Sequence, residues 1–239
     1  MTNLLLVGPS QRIREEDKDF FDNFKQKDYI SICLTGGIYY LHQIDFHPDY
    51  YFFVDPWTIR EERFREEILA DEDYVKKIKV LGYNIYENEL EVFKKNKFSS
   101  SKFESIRYKT KYLNRVMDSF KEKHLVDSEY ESIFNLKENY NFNEKCMMFG
   151  GERIVNIDKF FGCLLPVVFY KFKNIKTITT IGFGDFDHPR FWNESSGDYS
   201  HYQESIQPLL PPIKNYIRNN NINIEFQHEN YFYKILKND

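Results

Sequence analysis

Histidines and carboxylates are the groups with which this chain could do proton chemistry. They gather with hydroxyls and aromatics in the stretch from Thr177 to Tyr202, TITTIGFGDFDHPRFWNESSGDYSHY, which follows a β-branched run and a glycine turn. An imidazole with an ordinary pKa of about 6.5 can take a proton from an attacking hydroxyl at neutral pH, and a nearby carboxylate can orient it. His201, flanked by Tyr199, Ser200 and Tyr202, is the candidate base. His188 precedes Pro189 and stands beside Arg190 and Trp192, which reads as a packed turn and makes it the weaker rival. A lone loop histidine is structural more often than catalytic. Asp185 has a dull reading as well, as a loop cap bonded to its own backbone, and Asp198 either orients His201 or is simply solvated.

A second gathering, His42, Asp45, His47 and Asp49, invites a metal reading. Its spacing fits neither a helical i, i+4 pair nor a finger, and loop polarity ahead of a strand explains it better.

The elements that must position these groups alternate between buried strands and helices. Asn3 to Val7 is an apolar run closed by Gly8-Pro9-Ser10, followed by a charged stretch to Lys27. A strand that breaks into a glycine loop is the first half of a nucleotide-binding unit, in which a missing side chain lets backbone approach a ligand. By itself it is more often only a turn. Tyr29 to Leu34 is a second strand ending in Thr35-Gly36-Gly37, and Ile38 to Gln43 a short helix. A third strand lies within Phe46 to Val54 and ends in Asp55-Pro56. Ile175 to Ile181 alternates as a buried strand that delivers Gly182-Phe183-Gly184-Asp185-Phe186. The final elements are a helix carrying Ile213, Tyr216 and Ile217 behind Pro211 and Pro212, then a strand from Ile222 to Phe226. Pro166, inside the apolar run Phe160 to Tyr170, predicts a kink or a helix that starts close to it.

Positions 58–145 read differently. Phe64, Ile68 and Leu69 share one face of Ile59 to Ala70, and Leu113, Val116, Met117 and Phe120 recur at helical spacing. This predicts a helical insert or lid in a single α/β domain spanning 1–239. The fold class is an open, mainly parallel sheet flanked by helices. Ligands of such sheets bind outside the carboxyl ends of the strands, and a parallel arrangement would converge Gly8 to Ser10, Thr35 to Gly37, Asp55 and Asp185 on one crevice. The fingerprint G-x-G-x-x-G is absent, which disfavours an ordinary dinucleotide site.

These residues resemble a known family. Gly8-Pro9-Ser10 after the first strand, Pro48-Asp49-Tyr50-Tyr51 leading to Asp55-Pro56, Ile181-Gly182 with Asp185-Phe186, and Ser200-His201-Tyr202 look like the bacterial sialyltransferases of glycosyltransferase family forty-two. They are similar also to the domain shared by hydroxymethylpterin diphosphokinases and motility accessory factors. The likeness covers roughly the first 56 positions and those after 146, and nothing between. It implies a modified Rossmann-like domain of GT-A-like variant form, with a CMP-sugar donor and inverting transfer to a glycan hydroxyl. His201 would be general base and no metal would be required. Gly8, Pro9, Ser10, Thr35, Asp55, Gly162, Asp185 and Phe186 would line the nucleotide. Departures are Thr35 or Leu34 in the place of a family asparagine, Phe161 before Gly162 where the family has a hydroxyl, the extra residue in Gly182-Phe183-Gly184-Asp185, and a shorter loop from Asp185 to His201. The alternatives are a phosphotransferase using ATP and magnesium, with Asp55 and Asp185 as ligands, and a domain that binds a nucleotide or glycan without turnover.

Composition narrows the partners. At 239 residues, 41% hydrophobic and 29% charged, the chain is of ordinary globular type. A formal charge of −4 gives no case for nucleic acid. Phe160 to Tyr170 is too short to span a bilayer, which takes about 20 apolar residues, and the N-terminal apolar run lacks the basic region of a signal peptide. Peripheral membrane association and a homo-oligomer stay open. Cys33, Cys146 and Cys163, with no C-x-x-C pair, read as reduced thiols of a cytoplasmic protein.

Overall fold

The computed structural model describes residues 1–52, 62–83, 106–107, 160–191, 206–207 and 210–237. Its strands are β1 (Thr2–Val7), β2 (Tyr29–Leu34), β3 (Tyr50–Phe52), β4 (Lys79–Tyr83), β5 (Ile106–Arg107), β6 (Ile175–Ile181) and β7 (Asn223–Phe226). They form one sheet of seven strands in the order β5-β4-β3-β2-β1-β6-β7. Every pairing is parallel. The result is a Rossmann-like α/β arrangement.

β1 is central because it can be buried on both faces. Successive side chains of a strand point to opposite sides, and here Leu4 and Leu6 enter one core while Leu5 and Val7 enter the other. All four are fully buried, each contributing about 1.5–3 kcal/mol relative to exposure. On the Leu5/Val7 side the core is covered by α1 (Lys18–Gln26), α2 (Gly37–Gln43), a π-helical turn at Phe64–Leu69 and α3 (Glu72–Val75). On the Leu4/Leu6 side it is covered by α4 (Leu165–Lys171), α5 (Leu210–Asn219) and α6 (Tyr231–Lys237).

Local chemistry sets the helix boundaries. The Asp17 carboxylate accepts from the Phe20 amide at 3.0 Å and starts α1; Asp71 does the same for Tyr74 in α3, satisfying amides that have no intrahelical partner. Pro166 stands in the first turn of α4, and a π-helical turn, Phe160–Leu164, runs directly into it. That resolves the expected break near Pro166. Phe64, Ile68 and Leu69 are buried as their spacing predicts, although the turn that carries them is π-helical.

The middle of the chain departs from expectation. Positions 58–145 were expected to be helical, yet β4 and β5 fall inside this range and extend the sheet beyond β3. The cause is local: Lys79-Val80-Leu81-Gly82-Tyr83 is a short strand whose register against β3 shifts at Tyr51/Phe52, and its charged surroundings hide it. The expected helix within 110–123, the polar loop at 94–102 and the short strand at 145–151 lie outside the described residues. No helix among the described residues is long and apolar enough to cross a membrane.

Candidate functional site

The sheet reverses its winding between β1 and β6. From β1 the chain proceeds outward through β2 to β5, and then crosses to add β6 and β7 on the other side. In open α/β sheets this switch point is where strand-end loops diverge and ligands bind. The order β2-β1-β6 sets the loops at Thr35, Gly8 and Gly182 side by side.

Glycines allow these loops to touch. A Cβ on Gly8 would lie 2.2 Å from the Gly182 carbonyl oxygen and 2.9 Å from the Phe183 ring. One on Gly37 would lie 2.5 Å from the Gly8 oxygen, and one on Gly184 2.7 Å from Phe232. The bare face of Gly8 therefore meets protein backbone, and the missing side chain lets the β1 and β6 loops pack against each other. The two loops are also bonded directly. The Gly8 amide donates to the Ile181 carbonyl at 2.7 Å, Gln11 to Pro189 at 2.9 Å, and Ser10 forms an isolated antiparallel bridge with Arg190. Ser10 is fully buried, and its hydroxyl accepts from the Arg12 amide at 3.2 Å to cap the short 3-10 helix Gln11–Glu15.

The charged heart of the switch point is Asp185. Its side chain is shut off from solvent, and Oδ1 accepts from the Arg12 guanidinium at 3.3 Å. Its Oδ2 has no hydrogen-bond partner among the described residues. Burial raises the carboxyl above the usual aspartate range, against the opposing pull of Arg12, Arg190 and His188. The Arg12 side chain is 22% exposed, so its charge keeps some contact with water, and it also donates to the Glu229 carbonyl at 3.4 Å. His188 is a turn residue, its amide donating to the Asp185 carbonyl at 3.3 Å.

Thr35 is the second unusual position. It has φ +41°, a left-handed conformation that a β-branched residue rarely adopts. Its amide donates to the Phe52 carbonyl at 3.1 Å, and its buried Oγ1 has no hydrogen-bond partner among the described residues. Strain of this kind persists where surrounding structure enforces it, and it clusters at functional sites.

The structure thus brings Gly8, Pro9, Ser10, Thr35 and Asp185 to one edge of the sheet. Phe186 belongs to an aromatic cluster beneath that edge, 5.2 Å from Tyr231 and 5.6 Å from Phe232 between ring centroids. Gly162 lies in the Phe160–Leu164 turn. Phe161, standing where a hydroxyl was expected, is fully buried against Phe160 and Phe232. Asp55, Asp198 and His201 lie outside the described residues. Arg12 was missed from sequence, because it meets Asp185 across 173 positions and nothing local marks the pairing.

The acidic and histidine group at the opposite edge separates into structural contacts. His42 Nε2 meets Asp71 Oδ2 at 3.0 Å, and the Asp49 carboxylate accepts from the Ser31 amide and hydroxyl, each at 2.8 Å. No group of three or more metal-ligating side chains occurs among the described residues.

The fold and this edge define the class: an α/β protein with the Rossmann-like winding and a polar, strained switch point. Sequence comparison goes no further, since no protein-family model matches the chain and no curated protein is similar to it.

Proposed function

We propose that the chain is a nucleotide-sugar-dependent glycosyltransferase of sialyltransferase-like type. It transfers a sugar with inversion from a CMP-sugar donor to a glycan hydroxyl. The observation that carries the nucleotide half of this reading is the switch point itself, where Arg12 is anchored on buried Asp185 beside the β1 and β6 loops. A guanidinium held there supplies fixed positive charge, which a departing nucleotide phosphate needs. The transfer half rests on the sequence resemblance, with His201 as the base that takes the acceptor proton and Asp55 against the nucleotide.

Magnesium fits this edge poorly. The Asp185 carboxylate is engaged by Arg12, and the charge of Arg190 also acts on it, so a divalent cation would meet cationic neighbours. The reading with ATP and magnesium therefore gains no support from the described residues.

The test is thermal shift across a panel of nucleotides and nucleotide sugars, with and without magnesium. A ligand that binds only the folded state raises the melting temperature. A shift specific to cytidine nucleotides and indifferent to magnesium is expected. A magnesium-dependent ATP shift would replace this reading with the phosphotransferase, and the absence of any nucleotide shift would remove both. His201→Ala is expected to abolish transfer while leaving the CMP shift intact.

A further inference from the structure

Arg12 and Glu15 stand three positions apart in the 3-10 helix Gln11–Glu15, and side chains at that spacing of a 3-10 helix eclipse on one face. The Glu15 carboxylate accordingly meets the guanidinium, with Oε1 at 3.6 Å from Arg12 Nε. Its other oxygen, Oε2, lies 3.9 Å from Nε2 of His228 in the loop between β7 and α6. Both distances are too long for hydrogen bonds. Arg12 Nε and His228 Nε2 are buried atoms without a hydrogen-bond partner among the described residues. One carboxylate is thus shared between two buried nitrogens and locked to neither. The Glu15 side chain is 52% exposed and has room to move. Arg12 is fixed, because its Nη1 donates to Asp185 Oδ1 and to the Glu229 carbonyl. The His228 loop is fixed as well: Gln227 donates to Glu16 Oε1 through Nε2 and to the Thr180 carbonyl through its amide, each at 2.9 Å.

We infer that Glu15 is a stand-in anion, which covers the Nε side of Arg12 until an oxyanion takes its place and its carboxylate moves onto His228. The exchange rests on the reading of Arg12 as the residue that meets the nucleotide phosphate. A guanidinium binds an oxyanion best as a fork, with two parallel N–H donors on two oxygens. With Nη1 engaged by Asp185 and Glu229, the fork left to a ligand is Nε with Nη2, and Glu15 stands on half of it. Protonation of His228 favours the exchange twice over, because imidazolium attracts the displaced carboxylate and adds positive charge beside the incoming anion. Oxyanion binding therefore tightens as His228 gains its proton. The charged groups around His228 are Arg12, Glu15 and Glu16 of the segment packed on its loop and Glu229 of the loop itself, with Asp185 and its neighbour His188 beyond Arg12.

The probe is sulfate, which stays a dianion from about pH 5 to 8, the range in which imidazoles change charge. It is titrated into the full chain at constant ionic strength, with CMP in a parallel series, and affinity is read from the backbone amide resonances of positions 10–15. Wild type is expected to bind sulfate about fivefold more tightly at the acid end of the range, the equivalent of one exposed ion pair. Glu15→Gln is expected to keep its melting temperature, to bind at the tighter level throughout and to lose the pH dependence. His228→Gln is expected to lose the dependence at the weaker level. A dependence that persists in Glu15→Gln would belong to Asp185 and overturn the inference, as would binding by that variant no tighter than wild type at the alkaline end. If Arg12→Ala abolishes the CMP response while Glu15→Gln leaves it unchanged, the nucleotide reading stands and the exchange falls. Sulfate binding with the expected pattern but no CMP response would remove the nucleotide reading and keep the exchange. No response to either anion would overturn both.

Discussion

The two edges of the sheet handle buried polar groups in opposite ways. At the amino edge, Asp49 ties β3 to β2: its Oδ2 accepts from the Ser31 amide and hydroxyl, and the Asp49 amide donates back to Ser31 Oγ at 3.0 Å. Tyr74, beside it, donates its buried hydroxyl to the Phe46 carbonyl at 2.9 Å. At the carboxyl edge Asp185 keeps one oxygen without a partner among the described residues, as does the Thr35 hydroxyl, and Thr35 is conformationally strained as well. Unsatisfied buried polar groups cost about 1–3 kcal/mol each. One edge is therefore built for stability, and the other carries costs of the kind found at binding sites.

Substitutions at the two edges should separate these roles. Gly8→Ala has the largest expected effect, because its Cβ would overlap the Gly182 carbonyl, which is backbone and cannot swing away. A loss of about 3 kcal/mol is expected from overpacking of this severity, read as a fall in the urea midpoint at constant slope. A wild-type midpoint would mean that the β1 and β6 loops are not in contact. Asp49→Ala comes next. It strands the buried Ser31 amide and removes a charged acceptor, for an expected loss of about 2–4 kcal/mol. Retention of full stability would show that the amino edge does not carry the load assigned to it.

Thr35→Gly should move stability the other way. Glycine enters the left-handed region without steric cost, so relief of strain, less the added entropy of the unfolded chain, should raise stability by about 0.5–1 kcal/mol. If the strain serves binding, the same variant loses the nucleotide-induced shift in melting temperature. A stabilised variant with an unchanged shift would detach Thr35 from the site.

These positions also show what could be read in advance. β2 and β6 match their predicted ranges to the residue, and β1 differs by one, because short runs of apolar or β-branched residues closed by glycine-bearing turns mark strands by composition, length and flanks together. β4 was hidden by its length and its charged flanks. Helix α6 was hidden by YFYKILK, an aromatic run of strand-like composition. Its start is fixed by the Asn230 side chain, which accepts from the Tyr233 amide at 2.9 Å, and by burial of Phe232. The strand-end loops were legible as a group, since parallel strands bring their carboxyl ends together. The zipped contact of Ser10 with Arg190 and the pairing of Arg12 with Asp185 were not, because both join distant parts of the chain through side chains and loops without periodicity.

The smallest stability change, and the most informative pH dependence, is expected of Asp185→Asn. Burial holds the native carboxyl above the 3.8 of an ordinary aspartate, and its basic neighbours only partly oppose that. The native state then keeps the proton to higher pH than the unfolded chain does. The stability this contributes is fully present below about pH 3.8 and is lost as pH rises through the raised native value. Asparagine mimics the neutral acid and does not titrate, so the variant should gain on the wild type across that window. At neutral pH it should be as stable or slightly more so, by up to about 1 kcal/mol. Arg12 stays solvated and bonded to Glu229, so losing its anionic partner does not leave a sealed, uncompensated charge. Urea titrations of both proteins from pH 3 to 8 read the difference directly. A variant destabilised at every pH would place Asp185 with Asp49, as a structural carboxylate. A variant that is stable but no longer shifted by nucleotide would place it in the site, with its charge kept at the expense of the fold.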